Sequence, residues 1–267
     1  MKMYPAYYNF FKELTKSKYE TYSVYDYFFR KRESKKKVNV IIRVDVDWTM
    51  KGCVELAKFF KKKGINASFY FLTIPERHYN IWKTDIVKKV SDMGFEIGLH
   101  TDHFYDELTK GIDAKKQIKK DLNKMEKLIR KKIHGMVYHG TKEMNKLKRL
   151  NVEAYIDTKP EELGLDYHDG RTSIYSRYKK MFWEPNTDYN LSDFCDIRAA
   201  WKNYGEFAIR KLKKVKQGES IHVTVHTINI FEGIDFDKNM GINFINFLKS
   251  FFCYSIKPIL KKILKRR

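Results

Sequence analysis

Cysteine is scarce: Cys53, Cys195 and Cys253 are the only three, far apart and odd in number. With no Cys-x-x-Cys pair, they exclude a disulfide framework. Long apolar runs are also missing. No window approaches the ~18 consecutive apolar residues of a membrane span, and the N-terminal stretch MKMYPAYYNFFKEL has neither an unbroken apolar core nor a small-residue cleavage site, so no secretory leader is expected. The chain shows no zinc-finger, RRM or helix-turn-helix signature and no glycine-rich phosphate loop. Acidic residues fall short of basic ones, 33 against 54, for a formal charge of +21. Such a field attracts polyanions. The excess is lysine spread over the whole chain, however, which reads as solvated helix faces, and no specific nucleic-acid partner is expected.

What is present is globular in composition, with 43% hydrophobic and 15% aromatic residues. Residues 4 to 36 mix aromatics and charges and end in the basic run from Arg30 to Lys37, which reads as a solvated loop. The segment from Val38 to Asp47 is β-branched and apolar until its end, as a strand buried on both faces would be. Lys51 to Lys63 has helical spacing and stops at Gly64, a suitable residue beyond a helix C-terminus. Strands are then expected at 67–72, 95–100 and 135–139, and helices at 85–93 and 114–131. Short strands at 154–157, 181–183 and 191–193, a helix over 204–214 and a last strand over 221–226 complete the reading. This strand and helix alternation, without a linker or an internal repeat, predicts one α/β domain. We expect a single (β/α) barrel, distorted or incomplete, with about seven strands and its active face at their C-terminal ends. The domain, with its N-terminal helical segment, is expected over 1–240, and a C-terminal helix with a basic amphipathic tail over 241–267.

Residues two apart on a strand share a face, so Arg43, Asp45 and Asp47 line up at the C-terminal end of the Val38 strand. Two like charges so close call for a cation, an arginine or a proton between them. An ion pair with Arg43 satisfies this as simply as a metal does. His100, His139 and His226 each end an apolar run, which delivers three imidazoles to the same rim. An aspartate with two histidines is a normal N/O set for Zn²⁺ that leaves a position open for water.

Taken in order, these segments resemble the polysaccharide deacetylases of carbohydrate esterase family 4, and most closely a bacterial branch whose first motif reads Arg-His-Asp-Val-Asp. Here the motif is Arg43-Val44-Asp45-Val46-Asp47. Gly64 to Leu72 is similar to the helix end and strand that follow it, and Gly94 to His100 to the Gly-His-Glu-Ile-Gly-Leu-His segment. Val137 to Gly140 resembles the Ser-Phe-His turn, 191–201 the Ser-Asp-Ser...Trp stretch, and Ile221 to His226 the closing strand. The resemblance covers roughly 38–230. It implies Asp45 as general base, Asp47 and His100 as metal ligands, and His226 as general acid. Where many members carry a second histidine, four residues after the first, this chain has Phe104. His139 is then the expected third ligand, with His103 as its substitute. Arg43 or Arg198 would hold the base, and the cofactor would be a divalent metal, Zn²⁺ first.

The activity implied is hydrolysis of an acetyl group, N-acyl rather than O-acyl, on a sugar or a lipid-linked glycan during surface-polysaccharide assembly. Two alternatives stay open. One is an inactive glycan-binding relative with a cleft lined by Trp48, Tyr138, Trp183 and Trp201; the other is a different metal-dependent barrel hydrolase. Residues 257–267 combine an apolar stripe with six basic residues and no acid, which suits an anionic membrane surface. The expected location is the cytoplasm, at the inner membrane face.

Overall fold

The computed structural model describes residues 1–30, 33–47, 49–73, 80–139, 158–169, 181–182 and 209–232. The run that starts at Val38 is strand β2 (Val38–Val46), and all nine of its residues are buried. It is second in the chain: β1 (Tyr19–Tyr22) precedes it and pairs with its first half. Then come β3 (Ser68–Leu72), β4 (Glu96–Thr101), β5 (Gly135–Tyr138), β6 (Tyr167–His168), β7 (Met181–Phe182) and β8 (Ser220–His226). The sheet runs β6-β5-β4-β3-β2-β8-β7, and every pairing in it is parallel.

Parallel neighbours need helical crossovers. Among the described residues these include α2 (Cys53–Lys63) between β2 and β3, α3 (Ile86–Asp92) between β3 and β4, and α4 (His103–Lys110) with α5 (Ala114–Ile129) between β4 and β5. The N-terminal segment forms α1 (Pro5–Leu14), which buries Tyr7, Phe10, Phe11 and Leu14. The sequence reading placed β2 to β5, β7, β8 and helices α2, α3 and α5 within a few residues; α1 lies in the N-terminal segment expected to be helical, and β1, α4 and β6 add to the reading. The strands expected at 154–157 and 191–193 and the helix and tail at 241–267 lie outside the described residues.

The sheet is curled into a distorted (β/α) barrel. Strands β5 and β8 stand four pairings apart in the sheet order, which in a flat sheet is ~19 Å. Yet His139 and His226, at the ends of those strands, bring their Nε2 atoms to 3.6 and 3.8 Å from the same Asp47 Oδ2. Curvature of this kind explains why β2 is buried throughout. Its even-numbered residues Val40, Ile42, Val44 and Val46 pack outward against Phe11, Leu56, Phe60 and their neighbours, while Ile41, Arg43 and Asp45 face the barrel interior.

That interior has an apolar floor and a polar rim. At the floor Ile41, Tyr70, Val137 and Tyr167 pack with Tyr22, the last residue of β1, and with Val24 and Tyr27 from the segment after it. The two tyrosine rings need glycine opposite them: a Cβ on Gly98 would stand 2.3 Å from Tyr70, and one on Gly135 1.9 Å from Tyr167. Tyr70 donates to the Tyr167 hydroxyl, which donates to Glu96. Glu96 also accepts from Ser68 Oγ at 2.5 Å and from the Tyr25 N–H at 2.9 Å, so the N-terminal strand ends are tied to the segment beneath them.

Between floor and rim lies His222, on the inward face of β8 and 1% exposed. Burial, aided by the nearby Arg43 charge, pushes its pKa down from 6.5 to about 3. As pH falls below 6.5 the unfolded chain gains a proton that folded His222 refuses until about pH 3, so its contribution is lost stability on the acid side. The slope is about 1.4 kcal/mol per pH unit for one proton. We predict that His222→Gln makes the acid dependence of unfolding free energy shallower by about that slope between pH 6 and 4. An unchanged slope in denaturant titrations across this range contradicts the assignment.

Candidate active site

The rim is built from the C-terminal ends of the strands. Arg43 on β2 forms a two-pronged pair with Asp45, Nε donating to Oδ1 at 2.7 Å and Nη2 to Oδ2 at 2.7 Å. Its Nη1 donates to Asp169 Oδ2 at 2.8 Å, and Asp169 Oδ1 accepts from the Tyr138 N–H at 3.0 Å. One guanidinium thus spans two carboxylates from opposite sides of the curl. Burial pushes the Asp45 carboxyl up, but Arg43, with His100 and His226, outweighs it and holds Asp45 below its ordinary range. For Asp169 burial wins over Arg43, and its pKa rises to about 6.

Asp47, just past the end of β2, lies with His100 and His139. Each offers one ligand atom, and the three atoms lie within 4.8 Å of one another, all on buried residues. His100, the penultimate residue of β4, donates from Nδ1 to the Val137 carbonyl at 3.2 Å. This bond fixes the tautomer and leaves Nε2 pointing into the site. His139 follows β5, with Nε2 3.6 Å from Asp47 Oδ2 and Nδ1 3.8 Å from Asp102 Oδ2. The two imidazoles stand edge to face, centroids 5.0 Å apart.

The electrostatics favour a cation here. Burial pushes His100 down to about 4, against the pull of Asp45, so it is neutral at pH 7. Burial also pushes His139 down, but Asp102 and Asp47 outweigh it and raise its pKa to about 9. Asp47 lies below its ordinary range, with His226 and His139 outweighing its burial. Without an ion, the proton on His139 supplies the positive charge that Asp47 and Asp102 require. An aspartate and two imidazoles, buried and convergent, fit a divalent ion of the Zn²⁺ type in donor chemistry.

His226 closes the arrangement, with Nε2 3.8 Å from both Asp45 Oδ2 and Asp47 Oδ2. At 28% side-chain exposure it is open to solvent, where Asp45 and Asp47 are at 3%. The expected rim residues Arg43, Asp45, Asp47, His100, His139 and His226 therefore meet. His103 does not join them: it begins α4, and its Nε2 donates to Asp121 Oδ2 on α5 at 2.7 Å. Phe104 packs against the hydrophobic core. Arg198, Trp48, Trp183 and Trp201 lie outside the described residues. Sequence reasoning missed Asp169 and Asp102, single acids after a two-residue strand and after β4, with no spacing to mark them.

Residues 32–140 match the family model described as polysaccharide deacetylase. No curated protein matches the sequence. Among solved structures, the polysaccharide deacetylase Bc1974 from Bacillus cereus aligns at 15% identity over 78% of this chain and 85% of that one, with a TM-score of 0.45. The Xyl-CE4 domain of a multidomain xylanase from the hindgut metagenome of Trinervitermes trinervoides aligns at 11% identity over 82% and 83%, with a TM-score of 0.37.

The placement of the two histidines is testable with Zn²⁺ alone. We predict that His139→Ala weakens zinc affinity by more than the ~10- to 100-fold typical of losing an outer partner, and that His103→Ala changes it little. Wild-type affinity in His139→Ala with loss in His103→Ala, measured by chelator competition, would transfer the ligand role to His103.

Proposed function

We propose that the chain is a metal-dependent carbohydrate deacetylase of the polysaccharide deacetylase family, hydrolysing an N-acetyl group on a sugar. The observation that carries this reading is the convergence of Asp47, His100 and His139 beside an arginine-held Asp45 and the more exposed His226. The family match over 32–140 supports the substrate class.

In this reading Asp47, His100 and His139 would hold the ion, most simply Zn²⁺, which when bound would polarise the acyl carbonyl and make a water acidic enough to be used near neutral pH. Asp45 then accepts the water's proton on Oδ2. The Arg43 fork holds that carboxylate ionised and aimed, at the cost of proton affinity. Asp169 offsets part of this cost by drawing on the same guanidinium. The hydroxyl oxygen adds to the acyl carbon, the C–N bond breaks, and His226 delivers a proton from Nε2 to the departing nitrogen, so acetate and a free amine result. His226 suits this step because it is the rim residue most open to an entering glycan.

The finer proposal concerns setting. A chain with no described helix long and apolar enough to cross a membrane, and with a basic tail over 257–267, suits a glycan presented at an anionic bilayer surface, such as a lipid-linked intermediate of surface-polysaccharide assembly.

Asp45→Asn keeps the shape of the carboxylate but cannot take the proton. It should retain wild-type zinc content while acetate release from N-acetylated chito-oligosaccharides falls ~10²- to 10⁴-fold. Undiminished turnover would remove Asp45 from the base role, and zinc loss in Asp45→Asn but not in Asp47→Asn would reverse the two roles along the strand.

A further inference from the structure

Asp102 stands beside the proposed site without a part in the chemistry described above. This residue occupies the N-cap position of α4, where an aspartate ordinarily accepts from the first-turn N–H groups, yet its side chain makes no capping hydrogen bond. It is 1% exposed, and a buried carboxylate is costly unless a cationic or donor group meets it. Its Oδ2 stands 3.8 Å from His139 Nδ1, while Asp47 Oδ2 stands 3.6 Å from Nε2 of the same ring. The imidazole is thus bracketed by carboxylates at its two nitrogens.

The backbone around it is already fixed: the His139 N–H donates to the Thr101 carbonyl at 2.7 Å, one residue before Asp102. The rotation of the ring decides where its Nε2 points. On His100 the Val137 carbonyl sets that rotation; on His139 the atom in the equivalent place is a carboxylate oxygen. We propose that Asp102 is a positioning residue for the metal site, accepting the Nδ1–H of His139 and turning its Nε2 onto the ion. A closing of about 1 Å brings the pair to the ~2.8 Å of a charge-assisted hydrogen bond. The end of β4 thus supplies one ligand, His100, and two residues later the partner of another. This inference rests on the metal-site reading above.

The experiment measures zinc dissociation constants by chelator competition on the full chain, for wild type, Asp102→Ala, Asp102→Asn, His139→Ala and the Asp102→Ala/His139→Ala double variant. Asp102→Ala is expected to weaken zinc ~10- to 100-fold while one ion is still bound and the metal-free melting temperature stays at the wild-type value. Asp102→Asn, whose amide oxygen still accepts, should recover part of the loss, and the double variant should bind no worse than His139→Ala. Wild-type affinity in Asp102→Ala overturns the proposal and leaves the metal site standing, as does an equal loss from Asp102→Ala in the wild-type and His139→Ala backgrounds. Absence of zinc uptake by the wild type overturns the metal site itself, and Asp102 with it. Should Asp102→Ala not fold, the Co²⁺ absorption spectrum of Asp102→Asn decides: altered bands support the proposal and wild-type bands overturn it.

Discussion

Two carboxylates that share one face of a buried strand repel each other and forfeit hydration, so the structure around Asp45 and Asp47 has to supply positive charge and donors at close range. It does so asymmetrically. Asp45 receives both prongs of Arg43 from its own strand, and the pair is settled locally. Asp47, two residues further on, meets imidazoles from the ends of β5 and β8. In the proposed reading that asymmetry separates the two acids into a held base and an ion ligand on one strand, and the barrel's curl makes it achievable: β8 already lies beside β2, but in a flat sheet His139, after β5 and three pairings from β2, would be far out of reach.

The same curl governs the rest of the interior. Strands brought close across the barrel leave room for few large side chains, and the floor is filled by Tyr70 and Tyr167 only because Gly98 and Gly135 stand opposite them. Arg43 sits directly above, its guanidinium 5.7 Å from the Tyr70 ring centroid. A rigid aromatic floor and a three-point arginine bond together restrict where Asp45 can point, which the proposed proton transfer requires. The Asp169 link to the Tyr138 N–H adds β5 to the same network, so the backbone that carries His139 and the side chain that holds Asp45 are coupled through one guanidinium.

Much of this frame can be read from the sequence where burial is two-sided. β2, β3, β4 and β8 are rich in apolar and β-branched residues because both faces are covered, and their polar ends stand out against that background. The histidines were visible for the same reason, as polar residues closing apolar stretches. The N-terminal helical segment was expected without bounds, and α1 within it places Tyr7, Phe10, Phe11 and Leu14 at helical spacing. β6 is two residues long and offers no periodicity. Asp102 and Asp169 could not be recognised at all, because their significance lies in partners 37 and 126 residues away, which only the folded chain brings near. His103 was the second choice for the third ligand, and α4 turns it toward Asp121 instead of the rim.

The account stands or falls on whether a single ion sits among Asp47, His100 and His139. Crystals of the full chain grown with Zn²⁺, with diffraction recorded on both sides of the zinc absorption edge, address this directly. The account predicts one edge-dependent anomalous peak within ~2.0–2.2 Å of an Asp47 oxygen and of the Nε2 atoms of His100 and His139. A peak coordinated by His103, or no peak in the rim at saturating zinc, would contradict it.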